Sequence, residues 1–329
     1  VTVSASAAKD HRDPSETKPS GKRVWIGRAV MIGTLVLMVY LLQRTLSQYS
    51  LDDLLSAVRA VPAERLLLAG AFAAASYAVL TGFDWLAVRY VGQKLAYWQT
   101  ALTAFTSLSI GHSVGLSGLS SGAIRYRFYS RWGLSVGDVA KITLFNGCTV
   151  ALGLMLLAGF AFLFDGGLAS EITGLGGGAV LALGLGCLAL VGLYLVLAAT
   201  LRRPLHIRNF SMEMPTLRLA LGQVVIGTVN FALVAACLHQ ALAAIAEVSY
   251  PGVAAVYVMA NTATLITHVP GGLGVIESVV TFLVPGGQVI GAVLVFRAVY
   301  FLVPLVIGLV TLGLSELFQR RLKEAETPA

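Results

Sequence analysis

The sequence predicts an all-α polytopic membrane protein: an inverted-topology repeat of six spanning helices plus two re-entrant helical hairpins. Composition, charge placement and two glycine-rich breaks carry that expectation. Hydrophobic residues make up 57% and charged residues 12% of the 329-residue chain, and mean hydropathy is +0.81. That is far too little charge to cover the surface of a soluble protein. Leu66 to Phe83, Ile142 to Phe164 and Leu175 to Leu201 each run without a charged side chain. Each can cross a hydrocarbon core of about 30 Å at about 1.5 Å per helical residue. A β-barrel would show short alternating segments instead.

Residues 1–22 are polar and contain serine and proline, so a disordered tail is expected there. It is not read as a cleaved signal peptide, because the run from Trp25 to Leu42 lacks a small-residue cleavage site. One transmembrane domain is expected over 23–316, with a second tail at 317–329. Lys9, Arg12, Lys18, Lys22 and Arg23 precede the first apolar run; Arg320, Arg321 and Lys323 follow the last; Arg202, Arg203 and Arg208 occupy the middle loop. Segments 165–172 and 246–251 hold Asp165, Glu171 and Glu247 but no lysine or arginine. The positive-inside rule therefore puts both termini and the middle loop in the cytoplasm. The formal charge of +7 becomes a topological signal, with attraction to anionic headgroups, and nucleic acid is not implied.

Helices at about 25–43 and 66–90 then go out and come back. Arg125, Arg127, Arg131 and Lys141 mark the segment after the next apolar leg as cytoplasmic too, so 97–125 enters and leaves on one face. Its leg, Tyr97 to Ile110, is 14 residues, about 21 Å of helix and too short to span. A helix at 142–164 closes the first repeat, about 25–164. The second repeat, about 175–314, runs the same order inverted: helices at 175–201 and 217–245, a hairpin at 251–285, and a helix at 289–314. Discontinuous helices in inverted repeats are the architecture of many secondary transporters.

The breaks read "GHSVGLSGLSSGAIRYR" (111–127) and "THVPGGLGVIES" (267–278). Gly111, His112, Gly115, Gly118 and Gly122 mark the first; His268, Pro270, Gly271, Gly272 and Gly274 mark the second. Backbone freed from helical bonding survives in lipid only where protein or a water-filled cavity satisfies it. Glu277 falls in the first turn of the second leg, where it either caps that helix through the dipole or meets a cationic group in a polar cavity. Arg297 lies eight residues past Val289, about 12 Å deep, and must pair inside the protein; Glu277 is the nearest acid in sequence. Asp84 sits near the cytoplasmic end of its helix, where Arg125 and Arg127 can neutralise it. Structural ion pairs are the plainer alternative for each. His112 and His268 read as helix-end hydrogen-bonders; His239, Asn146, Asn230 and Asn261 read as interhelical ones. Cys148, Cys187 and Cys237 read as small core residues, with no disulfide and no metal implied.

"GHSVG" (111–115) matches the G-x-S-x-G elbow of serine hydrolases, but that elbow needs a strand before it, and a membrane segment precedes this one. No P-loop, metal-ligand spacing or dinucleotide fingerprint is present, so no cofactor and no enzymatic activity are expected.

"HVPGGLGVIE" (268–277), with "GLSGLSSGAIRYRFYSRWGLS" (115–135), resembles the membrane domain of the lysylphosphatidylglycerol flippase/synthase family and its stand-alone relatives. The resemblance implies translocation of an aminoacylated phosphatidylglycerol across the bacterial inner membrane, which lowers surface negative charge and blunts cationic peptides. It also implies roles for an acidic residue in an early helix and for the arginine after the first glycine-rich stretch, matching Asp84 and Arg125. The family's soluble synthase domain does not match within these residues, so a separate or fused partner domain, like homo-oligomerisation, stays open. The expected partner is a phospholipid whose headgroup is bound by Asp84, Arg125, Arg127, Glu277 and Arg297, since arginine binds phosphate and a desolvated carboxylate binds ammonium. A transporter of another amphiphile, polyprenyl-linked or hopanoid, is the alternative; a membrane enzyme or its accessory subunit ranks below it.

Overall fold

The computed structural model describes residues 51–114, 117–164, 166–201, 205–207, 210–267, 272, 274–283 and 289–325. The expected helix at 25–43, the tail at 1–22, and Gly115, His268, Pro270 and Gly271 lie outside the described residues. The elements are α1 (Leu51–Ala60), α2 (Ala63–Tyr90), α3 (Tyr97–Val114), α4 (Ser117–Tyr129), α5 (Val136–Phe164), α6 (Gly166–Thr173) and α7 (Gly177–Thr200). A small antiparallel ladder follows, β1 (Leu205–Ile207) on β2 (Phe210–Met212). Then come α8 (Leu217–Leu242), α9 (Tyr250–Thr267), α10 (Val275–Leu283), α11 (Val289–Arg297) and α12 (Val303–Ala325). Among the described residues, five helical stretches are long and apolar enough to cross a membrane: α2, α5, α7, α8 and the continuous Val289–Gln319. The fold is thus helical as expected, apart from the two three-residue strands in the middle loop.

Two helix boundaries move by six residues or more from the sequence expectation, and one expected helix is interrupted. The fifth helix starts at Val136, six residues before the uncharged run, because Ser135 and Asp138 cap it reciprocally. Asp138 N–H donates to Ser135 Oγ at 3.1 Å and Ser135 N–H to Asp138 Oδ2 at 3.0 Å, a capping-box arrangement. At the other end, the stretch expected at 289–314 continues helically to Ala325, through residues expected as a tail. It is interrupted by a π-helix at Ala298–Leu302, where Val303 N–H reaches Ala298 O. Pro304 has no N–H for the carbonyl of Tyr300, and Tyr77 Oη donates to that carbonyl at 3.3 Å. The short helices α1 and α6 were not anticipated.

Packing follows small residues. α2 runs along α8, and α5 lies against both. A Cβ on Gly153 of α5 would sit 2.3 Å from the Gly227 carbonyl carbon of α8, so these backbones touch only because both positions lack side chains. α7 is peripheral: 17% of its apolar window is buried, against 50% for α5 and α8. α3 and α4 pack side by side, as do α9 and α10. α3 packs on α12 as well as on α2, and α9 on α5 as well as on α8. At the first of these crossings a Cβ on Gly308 would lie 2.1 Å from Ser109 Oγ.

Candidate functional site: two buried ion pairs

Asp84 on α2 is fully buried, and Arg125 on α4 is 2% exposed. Arg125 Nε donates to both carboxylate oxygens at 3.0 Å. Tyr129 Oη donates to Asp84 Oδ2 at 3.0 Å, and Asn146 of α5 donates its amide to Oδ1. Ser121 Oγ takes a bond from Arg125 Nη1 at 3.0 Å. Ser121, Arg125 and Tyr129 recur every four residues and so share one face of α4. Their helix presents a cation flanked by two hydroxyls to a single buried carboxylate. Two atoms here have no partner among the described residues: Arg125 Nη2 and Asn146 Oδ1, one donor group and one acceptor in a buried, charged setting.

The second pair lies at the second break. Glu277 accepts from Arg297 through Nε and Nη2, the latter at 2.9 Å. The same carboxylate accepts the Gly274 N–H at 2.9 Å, while Gly274 O receives Ser278 N–H at 3.0 Å. Gly274 is therefore the N-cap of α10, and Glu277 both caps that helix and pairs with Arg297. Arg297 Nη2 also donates to Gly272 O at 2.9 Å, satisfying a carbonyl that the break releases. Gly272 and Gly274 adopt φ of +61° and +77°, the region where glycine is favoured. The side chains of the pair are 6% and 13% exposed.

Between the pairs runs a buried polar strip. Ser76 Oγ donates to Asn230 Oδ1 at 2.7 Å and lies 3.2 Å from Tyr300 Oη. The His112 ring stacks on Tyr300 at 6.5 Å between centroids, with its Nδ1 unpartnered among the described residues. Tyr300 follows Arg297 by three residues, within the π-helix.

The family model for the lysylphosphatidylglycerol synthase transmembrane region matches residues 24–308. This chain belongs to that lysylphosphatidylglycerol synthase transmembrane family. It is 33% identical over 290 residues to the uncharacterized protein slr0712 of Synechocystis sp., covering 87% of this chain and 90% of that one. It is 31% identical over 274 residues to the inner membrane protein YbhN of Escherichia coli, covering 78% and 82%.

In this member of the lysylphosphatidylglycerol synthase transmembrane family, several sequence-named residues take other places. Arg127 does not reach Asp84; it holds Glu316 of α12, Nη2 to Oε2 at 2.7 Å, and Arg131 joins the same carboxylate. Both lie toward the surface. Gly111 and His112 fall in the last turns of α3, and Gly118 and Gly122 fall inside α4, so these four residues lie within helices. Ser113 is in α3, preceded by helix, and donates to Ser109 O at 3.3 Å, not the strand-borne elbow of a hydrolase. Asn261 bonds Tyr257 within α9, and His239 of α8 bonds the Val248 carbonyl in the loop that follows α8, so neither of these hydrogen bonds reaches another helix. Cys237 is buried and Cys187 half-buried against the core, but Cys148 is exposed. Tyr129, Ser121 and Glu316 were not named from sequence; the four-residue spacing around Arg125 was the available signal for the first two.

Proposed function

We propose that the chain translocates a phospholipid with an aminoacylated, lysylphosphatidylglycerol-like headgroup across the bacterial inner membrane, without chemistry on the lipid. The observation that carries this reading is the Asp84–Arg125–Asn146 cluster, where a buried guanidinium keeps an unpartnered Nη2 beside an unpartnered amide oxygen. A phosphate fits the first and an ammonium the second, with Asp84 supplying the opposite charge. An ion pair removed from water is costly unless its geometry is well satisfied, and orphaned donors in such a pair are the groups a ligand can complete. Glu277 and Arg297 repeat both charges at the other break. The matching contacts of α3 with α12 and of α9 with α5 suit an inverted repeat in which one half rocks against the other, with both termini cytoplasmic.

The test is reconstitution into liposomes holding lysylphosphatidylglycerol, with arrival in the outer leaflet read by an impermeant amine reagent. Parent protein is expected to expose the lipid and Arg125→Gln to leave it hidden. Faster movement of a polyprenyl phosphate, which has no ammonium, with no loss in Asp84→Asn, would favour the other amphiphile. No movement of either lipid by the parent refutes the reading.

A further inference from the structure

A second site lies at the basic end of α2, apart from both ion pairs. The helix ends in a Schellman turn: Gln93 N–H bonds Val88 O at 3.1 Å and Gly92 N–H bonds Arg89 O at 3.0 Å, with Gly92 at φ +76°. That turn folds the segment carrying Gln93 and Lys94 back beside the last turn of the helix. The result is a cleft of about 460 Å³ lined by Trp85, Arg89, Gln93 and Lys94, with Val88 and Leu95 as its apolar surface. Among the described residues, no acidic one lines it.

Arg89 lies with its guanidinium carbon 3.4 Å from the centre of the Trp85 ring. Stacking uses the flat face of the guanidinium and leaves its in-plane N–H groups for an anion. Arg125, Arg127, Arg131 and Arg297 each hold a carboxylate. Neither Arg89 nor Lys94 forms an ion pair among the described residues. Trp85 in turn meets Tyr97 edge to face at 6.4 Å, and Tyr97 shares a 2.6 Å hydrogen bond with Thr81. Trp98 and Trp132 form a further edge-to-face pair at 5.9 Å. Such amphipathic rings gather at the level of lipid headgroups.

From this geometry we infer that the cleft binds the phosphate of an unmodified anionic phospholipid, such as phosphatidylglycerol, at the membrane surface. The two cations oppose a headgroup that carries its own ammonium, so the cleft selects against the aminoacylated lipid that the mixed-charge cluster at Asp84 accepts. The inference goes beyond the transport reading and does not depend on it. Asp84 precedes Trp85 in sequence but is turned inward and fully buried.

Calorimetric titration of the detergent-solubilised full chain with dihexanoyl phosphatidylglycerol tests it. The other arms are dihexanoyl phosphatidylcholine, lysylphosphatidylglycerol of the same chain length, and inorganic phosphate. Phosphatidylglycerol is expected to bind at least about tenfold more tightly than any of them, the lysyl lipid being compared in Asp84→Asn/Arg125→Gln, where the transport cluster is neutral. Arg89→Gln/Lys94→Gln, both at exposed positions, is expected to lose about tenfold or more while eluting as a single species. The neutral pair Asp84→Asn/Arg125→Gln is expected to bind like the parent, which separates this site from the transport cluster. Parent-like affinity in Arg89→Gln/Lys94→Gln overturns the site. Equal binding of phosphatidylcholine, or of the lysyl lipid by Asp84→Asn/Arg125→Gln, overturns the anionic selectivity, and equal binding of inorganic phosphate overturns the assignment to a lipid.

Discussion

Neutralising the Asp84–Arg125 pair separates its contribution to folding from its contribution to transport. Asp84 is fully buried, Arg125 is 2% exposed, and the carboxylate accepts from Arg125, Tyr129 and Asn146. Asp84→Asn keeps the shape and one acceptor but leaves a buried guanidinium without its counter-charge. Breaking a buried pair in this way costs about 3–5 kcal/mol, which lowers the folding equilibrium by between about two and four powers of ten. Arg125→Gln leaves the opposite charge stranded and is expected to fall in the same range. The double variant Asp84→Asn/Arg125→Gln removes both desolvation penalties, and such replacements are often neutral or stabilising, so it returns to the parent or above. Helicity followed by circular dichroism through a sodium dodecyl sulfate titration measures the stability. The liposome assay, run on the same three variants, is expected to show no lipid movement in any of them, the well-folded double variant included. Parent-rate transport by that double variant would reduce the pair to a structural clamp. Single variants as stable as the parent would refute the energetic reasoning itself.

Glu277→Gln keeps an acceptor for the Gly274 N–H but takes the counter-charge from Arg297, which also bonds the Gly272 carbonyl. It should elute as a single species yet move lipid at under about a tenth of the parent rate, since a charge left uncompensated in the membrane costs at least about 2.5 kcal/mol; wild-type transport would leave Glu277 as a cap. Gly227→Ala would put a methyl 2.5 Å from the Thr149 carbonyl oxygen and should destabilise by about 1–3 kcal/mol, seen in the same titration, with unchanged stability contradicting the close α5–α8 crossing. Tyr77→Phe deletes the hydroxyl that serves the Tyr300 carbonyl and should cost about 0.5–1.5 kcal/mol. For topology, cysteines placed at Lys94 and Arg131 in a background lacking Cys148, Cys187 and Cys237 should both resist an impermeant external thiol reagent; labelling at either site would break the re-entrant assignment of α3 and α4.

How much of this was legible beforehand differs between the two pairs. Glu277 and Arg297 could be matched from sequence because each was the conspicuous charge in an apolar neighbourhood, twenty residues from the other. Asp84 had two candidate arginines on one short helix, and the choice between them rests on rotation. Positions 125 and 127 differ by about 200° around an α-helix, so one faces α2 and α5 while the other faces Glu316 on α12. No local pattern announced Glu316, which lies 189 residues away in sequence.

The sequence by itself determined that the chain is a bundle of apolar helices and which intramembrane charges need partners. Those features follow from local rules: backbone groups in lipid must bond within their own helix, glycine and proline interrupt that bonding, and an isolated charge is costly. Only the tertiary structure decided which arginine meets Asp84, that Asn146 and Tyr129 complete its shell, and that Glu277 is cap and ion-pair partner at once. It also decided that α5 and α8 meet through Gly153 and Gly227, and that Pro304 leaves a carbonyl for Tyr77 to serve. Each of these depends on helix rotation and interhelical distance. Those are set by the summed packing of small and large side chains from distant segments, and the linear pattern of hydrophobicity does not encode that sum at any one position.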